Sequence, residues 1–414
     1  MFVILSRVTL SPQLDQPAST RSAPAASVAG GLALVVGVML AAANLRPAVT
    51  SLAAVLSEVR DTLGVSAAWT SAVTAIPTLC FGLVGMLAPW FSRRYGARAV
   101  ISGALALLTA GLALRVVDGP LVLVAGTFMA CAAIAVCNVL IPVVVKDSFP
   151  ATKVGAVTGA YSAALSAGGA IAAAFTAPLE ELVGGWRGAV GMWALLGVLA
   201  LVTWVLAGRG GSGRQPVAEE TAGPRRSLLR SPLAWAVTVF FGFQSLVAYT
   251  VMGWLPEILR DTAGVSATTA GQLLAIVMVL GVPVSMIVPP LAARARSQSA
   301  WAVSMALTGF AGFAGLLLAP ATATGLWILL IGIGMGVFPL ALTLITLRAR
   351  TGQETARLSA MAQSLGYLIA AVGPFAVGIL HGLTGGWAMS LTLVLVVLAA
   401  QVVLGYVAGR PRFV

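Results

Sequence analysis

The 414-residue chain is 59% apolar and 9% charged, with a mean hydropathy of +1.00. These proportions exclude a soluble domain and a disordered chain and leave an integral membrane protein. A net charge of +12 would suit nucleic-acid binding, so the placement of the cations decides what they mean.

In chain order, residues 1–27 are rich in Ser, Pro and Thr and read as a disordered cytoplasmic tail. A cleaved signal peptide, with Gly30 to Ala43 as its apolar region, is the alternative; the apolar run continues past it without a stop, which argues against cleavage. That run, 28–57, carries one internal cation, in Asn44-Leu45-Arg46-Pro47. The part before Asn44 is too short to cross a bilayer, which takes about 20 apolar residues, so Arg46 lies close to the midplane. A charge there costs about 2.5–3.5 kcal/mol on insertion scales and calls for a wet or protein-lined cavity. Pro47 has no N–H and leaves the Ala43 carbonyl without its helical donor. Asn44, Arg46 and that carbonyl are therefore expected to point into one polar hole. The alternative is that Arg46 only pins helix 1 to a neighbouring carbonyl or helix end.

Hydropathy predicts further spans at 67–91, 99–117, 121–145, 154–178, 188–207, 233–256, 267–291, 300–319, 325–347, 358–380 and 388–408. Twelve helices make an all-α membrane protein. Helices 1–6 occupy residues 28–207 and helices 7–12 residues 233–408. Between them 208–232, with clustered Gly, Ser, Pro, Glu and Arg, reads as a flexible cytoplasmic linker, and 409–414 form a cytoplasmic C-tail. With the N-terminus inside, the cations of the tails, the linker and the turns at Arg93, Arg94, Arg98, Lys146, Lys153, Arg294, Arg296, Arg348, Arg350 and Arg357 all fall on the cytoplasmic side. Only Arg60, Arg115, Arg187 and Arg260 fall outside. That asymmetry is the positive-inside pattern. It predicts a bacterial-type inner membrane protein with both termini cytoplasmic, and it assigns the basic charge to topology, with no nucleic-acid partner. Cys80, Cys131 and Cys137 lie within spans without a C-x-x-C pattern and are expected to be free, buried thiols.

The sequence repeats itself. Arg60-Asp61-Thr62-Leu63-Gly64-Val65-Ser66-Ala67 recurs 200 residues later as Arg260-Asp261-Thr262-Ala263-Gly264-Val265-Ser266-Ala267, and Gly184-Gly185-Trp186 returns as Gly385-Gly386-Trp387. Such self-similarity marks duplicated architecture. Two parallel six-helix halves about an axis along the membrane normal are the arrangement of the major facilitator transporters. The halves differ at the charge: Asn44 aligns with Gln244, whereas Arg46 aligns with Leu246. An off-axis anionic or polar ligand between them would explain that difference.

Polar side chains near mid-span supply the other candidate contacts: Asn138 in helix 4, Tyr161 in helix 5, Gln244 and Tyr249 in helix 7, Gln363 and Tyr367 in helix 11. Gln363 and Tyr367 are four apart and share a helical face. Each amide could equally hold two helices together. Trp254, before Pro256, reads as an interfacial anchor or outer gate. No Asp or Glu falls inside a predicted span; Glu58, Asp61, Glu257 and Asp261 sit at external ends beside Arg60 and Arg260. They are expected to be solvated or gating pairs, with Arg60, Asp61, Arg260 and Asp261 forming the gate. His381 is the only His and reads as interfacial. There is no metal-binding His pair, no catalytic Ser/His pair at membrane depth and no phosphate-cradling loop, so neither an enzyme nor a cofactor is expected.

Asn44-Leu45-Arg46-Pro47, Gln244-Ser245-Leu246, Trp254-Leu255-Pro256, Phe338-Pro339-Leu340 and Met361-Ala362-Gln363-Ser364-Leu365-Gly366-Tyr367 resemble the cyanate permease and 2-nitroimidazole transporter family of the major facilitator superfamily, end to end. The resemblance implies movement of small anionic or polar compounds, such as cyanate or nitroimidazoles, by alternating access. The superfamily's loop motif after helix 2 is degenerate: Pro89 stands where an acid is common, although Arg93, Arg94 and Arg98 remain. The leading expectation is a secondary transporter with Arg46 as the substrate's charge partner, Asn44, Gln244 and Gln363 as orienting amides, and protons or a counter-anion as co-substrates among membrane lipid. A nitro-compound or multidrug exporter with a structural Arg46 and a membrane sensor that transports nothing are the alternatives.

Overall fold

The computed structural model describes residues 28–149, 151–208 and 228–414. Twelve helices long and apolar enough to cross a membrane follow one another: α1 Leu32–Ala54, α2 Ala67–Tyr95, α3 Ala97–Leu114, α4 Pro120–Ser148, α5 Val157–Val183, α6 Trp186–Ala207, α7 Pro232–Ala263, α8 Ala267–Arg294, α9 Ser299–Leu318, α10 Thr324–Leu347, α11 Arg357–Thr384 and α12 Ala388–Ala408. Each predicted span has its helix, shifted by a few residues at one end or both. The predicted tail 1–27 and most of the predicted linker lie outside the described residues. The end of the bundle at which α6 ends and α7 begins is called here the linker end, and the opposite one the far end.

The repeated Arg-Asp-Thr-x-Gly-Val-Ser-Ala segment is a turn with its caps written into it. Gly64 and Gly264 adopt φ of +60° and +67°, the left-handed conformation that stops a helix and that glycine reaches without a Cβ penalty. Their N–H groups donate back to the carbonyls of Arg60 and Arg260. Two residues on, the Ser66 hydroxyl accepts from Trp69 N and Ser266 from Thr269 N, starting α2 and α8. Both halves therefore turn at the far end by the same means.

In the first half α1 packs on α5 and α6, and α3 on α4; in the second α7 packs on α11 and α12, and α9 on α10 and α12. The halves meet along α2 with α11 and α5 with α8. These contacts depend on glycines: a Cβ on Gly271 of α8 would come within 2.2 Å of the Ala173 carbonyl oxygen of α5, and one on Gly378 of α11 within 2.1 Å of Ser71 Oγ of α2. Without a hydrophobic driving force between helices in lipid, close packing of this kind is what holds them. The predicted C-tail is docked. Val414 N donates to the Arg348 carbonyl at 3.0 Å, and Arg348, itself buried, donates to the carbonyls of Ala408 and Gly409 at 2.8 and 3.1 Å and to Gln298. Burial lowers the pKa of Arg348 from the ordinary guanidinium value, and the three acceptors hold it in place.

The tightest approach is at Gly168 of α5, where a Cβ would lie 1.9 Å from the Ala43 carbonyl oxygen of α1. Gly168→Ala is expected to destabilise the protein by about 1–3 kcal/mol through overpacking, read as a lower melting temperature in detergent. Gly103→Ala, at a site with nothing within 4 Å, serves as the control and leaves the melt unchanged.

Candidate functional site between the halves

α1 is broken where the sequence places its charge. Helical backbone runs from Val28 to Asn44, stops for Leu45 and Arg46, and resumes at Pro47. Pro47 opens the second segment, where a missing N–H costs nothing, and the Arg46 carbonyl accepts from Val49 N and Thr50 N at 3.0 and 3.1 Å. Gly168 and Gly169 of α5 fit against the break: Gly169 leaves a Cβ-sized space 3.0 Å from Arg46 Cβ, and its carbonyl accepts from Thr50 Oγ1 at 3.1 Å.

The Arg46 guanidinium crosses to the other half. Its Nη1 donates to Met252 Sδ of α7 at 3.1 Å and Met278 Sδ of α8 at 3.8 Å, and among the described residues these weak thioether acceptors are its only hydrogen-bond partners. Tyr161, Tyr249 and Tyr367 lie within electrostatic range of it without a hydrogen bond to it among the described residues. Beside it is an aromatic cluster that spans both halves. Phe81 of α2 lies 5.5 Å from Tyr249 and 5.4 Å from Tyr367 between ring centroids, Tyr249 and Tyr367 are 6.3 Å apart, and Phe241 lies 5.3 Å from Tyr367 and 5.9 Å from Phe338. Toward the far end the interface narrows to a gap of about 20 Å³ bordered by Ala48, Leu52, Thr74, Thr127 and Gly253, room for about one water. A larger crevice between α1, α5 and α6, lined by Met39, Leu40, Ala43, Gly168, Trp193 and Leu196, has apolar walls and reaches the α1–α5 contact just before the break.

The predicted residues separate into two sets. Arg46, Tyr161, Tyr249 and Tyr367 come together. Asn44 does not join them: it is fully buried and its Nδ2 donates to the carbonyls of Leu40 and, across to α6, Leu196, at 2.9 and 3.0 Å. Gln244 is equally buried; its Oε1 accepts from Gln401 of α12 at 3.1 Å and its Nε2 approaches the Met335 carbonyl at 3.4 Å. The single polar hole expected for Asn44, Arg46 and the Ala43 carbonyl is therefore absent, because the break turns Asn44 toward its own half and Arg46 toward the other. The two aligned amides do matching work, each tying the first helix of its half to the last. Gln363 is partly buried and donates to Ser359 Oγ, one turn away, at 2.7 Å. Asn138 is partly buried and has no hydrogen-bond partner among the described residues.

The gate also differs from the expected pairing. Arg60 donates to Glu257 Oε1 at 2.6 Å, and Arg260 donates to Glu58 Oε1 at 2.8 Å and to Ser57 Oγ, so both ion pairs cross between the halves at the far end. Asp61 is exposed and only 3.7 Å from Arg60 Nε, while Asp261 accepts from Trp387 Nε1 at 2.8 Å. The reason is helical reach: the acid facing the opposite half lies two or three residues before the arginine. Burial disfavours the Arg60 charge, but the Glu257, Asp61 and Asp261 carboxylates outweigh that and raise its pKa above the ordinary value. Glu257 is 3% exposed, not a solvated surface acid. Trp254 is not interfacial; it is buried, donates to the Pro374 carbonyl at 2.9 Å and lies 5.7 Å from Trp387. His381 stacks on Trp387 at 3.9 Å.

Sequence reasoning missed Met252, Met278 and Phe81, which look like ordinary apolar span residues, and Arg115. Counted among the cations on the far side, Arg115 sits at the end of α3 fully buried and donates to the Ala48 carbonyl at 2.7 Å. Its place at the end of α3 was the available signal, since a long side chain there can turn inward as well as out.

The Major Facilitator Superfamily pattern matches residues 32–374. The chain is 36% identical over 382 residues to the 2-nitroimidazole transporter of Escherichia coli (strain K12), covering 92% of this chain and 96% of that one. It is 27% identical over 354 residues to the cyanate transport protein CynX of the same organism, covering 84% and 89%. Among solved structures, a bacterial homologue of the human lysosomal transporter Spinster superposes with a TM-score of 0.72 at 14% identity, covering 94% of this chain and 98% of that one, a likeness of fold. Duplicated halves, crossed pairs at the far end and a pattern matched along most of the sequence agree: the chain is a multi-pass membrane protein of the major facilitator superfamily, related within it to the 2-nitroimidazole and cyanate transporters.

Proposed function

We propose that the protein is a secondary transporter that carries a small anionic or polar solute across the bacterial inner membrane by alternating access, with Arg46 as the solute's charge partner. The observation that carries this reading is the Arg46 guanidinium, held at mid-span with thioether sulfur as its only acceptor among the described residues. A charge in that setting attracts any anion small enough to reach it, and its planar fork suits a carboxylate-like or nitro group. The rings of Phe81, Tyr249 and Tyr367 offer flat apolar faces with hydroxyls at their edge, which suits a flat solute. Of the solutes that name the two relatives, 2-nitroimidazole is a flat ring and cyanate a small linear anion. Asn44 and Gln244 take a positioning role, Gln363 and Asn138 remain open to solute, and the far end faces outside, as the cation asymmetry requires. Protons or a counter-anion complete the cycle.

Arg46→Ala and Arg46→Lys are both expected to lower counterflow of labelled cyanate or 2-nitroimidazole in proteoliposomes at least about tenfold, with expression and melting temperature retained. Parental counterflow by the Ala variant would remove Arg46 from the site. The far-end pairs give a second test. Arg60→Glu and Glu257→Arg are each expected to impair transport, the double exchange to restore much of it, and Asp61→Asn to change nothing, since that carboxylate is 77% exposed. Failure of the double exchange to improve on either single variant would show that the pair does not hold the halves together.

A further inference from the structure

The far-end pairs enclose a feature that ion pairing does not use. One carboxylate oxygen of Glu257, one of Asp261 and one ring nitrogen of His381 lie within 4.8 Å of one another. Asp261 is engaged by Trp387 and one Glu257 oxygen by Arg60. The other Glu257 oxygen, Oε2, and His381 Nδ1 are buried without a hydrogen-bond partner among the described residues, and Glu257 is 3% exposed. Two unpartnered buried atoms on titratable groups at one spot are an unfinished hydrogen-bonding arrangement. An N–H at His381 Nδ1 turned toward Glu257, or a proton added to either group, would complete it.

We propose that Glu257 and His381 form a proton-binding site that competes with Arg60, so that acid on the far side favours separation of the halves there. This rests on the transporter reading. The charges facing the site favour a proton. The segment after α1 presents Arg60, Glu58 and Asp61, α7 presents Arg260, Asp261 and Glu257, and Glu180 near the end of α5 interacts with Glu58 and Arg260. Even without Glu180, two cations face four carboxylates, so an added positive charge relieves an excess of two negative ones. A proton on Glu257 removes the charge that Arg60 pairs with; a proton on His381 sets a second cation against the same carboxylate. Either weakens the hold of the first half on the second, and re-forming the Arg60 pair expels the proton. A divalent metal suits the place less well, because Arg60 already holds one of the Glu257 oxygens at 2.6 Å.

Two measurements on the full-length protein in proteoliposomes test this. Spin labels on Thr62→Cys and Thr262→Cys report the distance between the halves at the far end, while Cys80, Cys131 and Cys137 are buried. Acidification is expected to shift the label distances of the otherwise unaltered protein to longer values. Glu257→Gln is expected to hold them long at every pH, and His381→Gln to lose or displace the pH response. The fluorescence difference between the parent and Trp387→Phe gives a local signal, because an imidazolium stacked on Trp387 quenches it; that pH-dependent quench is expected to vanish in His381→Gln. Distances that ignore pH, or a pH response unchanged in both Glu257→Gln and His381→Gln, would overturn the proposal. So would distances that respond to Zn²⁺ or EDTA and not to pH, which would assign the site to a metal. Arg46→Ala keeps the label response while losing counterflow, so failure of the proton site and failure of the anion reading are separable.

Discussion

A guanidinium held within a spanning helix, with only thioethers to bond among the described residues, is the constraint from which the rest of the structure follows. Insertion of such a group costs about 2.5–3.5 kcal/mol, and the fold accommodates it by locally breaking a helix. Pro47 restarts α1 without needing an N–H, and Gly168 and Gly169 let α5 close over the break. The contrast with Arg348 is instructive. Arg348 is buried where Arg46 is only partly so, and it is held by two carbonyls and Gln298 and ties down the C-terminal residues. Arg46 carries the same group with none of those acceptors among the described residues, which is why the proposed function assigns it to a ligand.

The division into halves depends on backbone proximity at two seams and on charge at one end. Gly271 against Ala173 and Gly378 against Ser71 let α8 meet α5 and α11 meet α2 at distances no side chain could tolerate. Such seams slide or pivot more readily than they part, because close-packed surfaces have few intermediate arrangements. The aromatic cluster bridges the seams at depth, with Phe81 from one half among Tyr249, Tyr367, Phe241 and Phe338 from the other. On the proposed reading, a solute bound there would meet both halves at once, as alternating access requires.

Much of this was legible in the sequence. Span number, the repeat and the midplane charge follow from hydropathy and spacing alone, and the repeat was legible because its residues are caps whose geometry each copy must reproduce: Gly64 and Gly264 in the left-handed conformation, Ser66 and Ser266 accepting the next helix's N–H. The direction of side chains around the break was not. Asn44 and Arg46 are two residues apart, and an unbroken helix would place them about 200° apart; only the path of the chain through Leu45 shows that one serves its own half and the other crosses. The same limit applies to Gln244, whose partner Gln401 lies 157 positions away, and to the gate, where helical phase selects Glu58 and Glu257 over the adjacent aspartates. Met252 and Met278 carry no sequence signal, because a methionine facing a guanidinium and one facing lipid are written alike.

The crossed arrangement of the far-end pairs has an electrical consequence. Each half contributes one cation and one anion, Arg60 with Glu58 on one side and Arg260 with Glu257 on the other. When the halves part, every charge leaves its partner but each half departs with a pair of zero net charge. Little net charge is then displaced along the membrane field, and the pairs themselves are close to blind to a potential that acts with about 2.3 kcal/mol per elementary charge per 100 mV. If Arg46 holds the solute as proposed, voltage sensitivity in the cycle falls on that charge, on the anion that neutralises it, and on any proton taken up at Glu257 and His381.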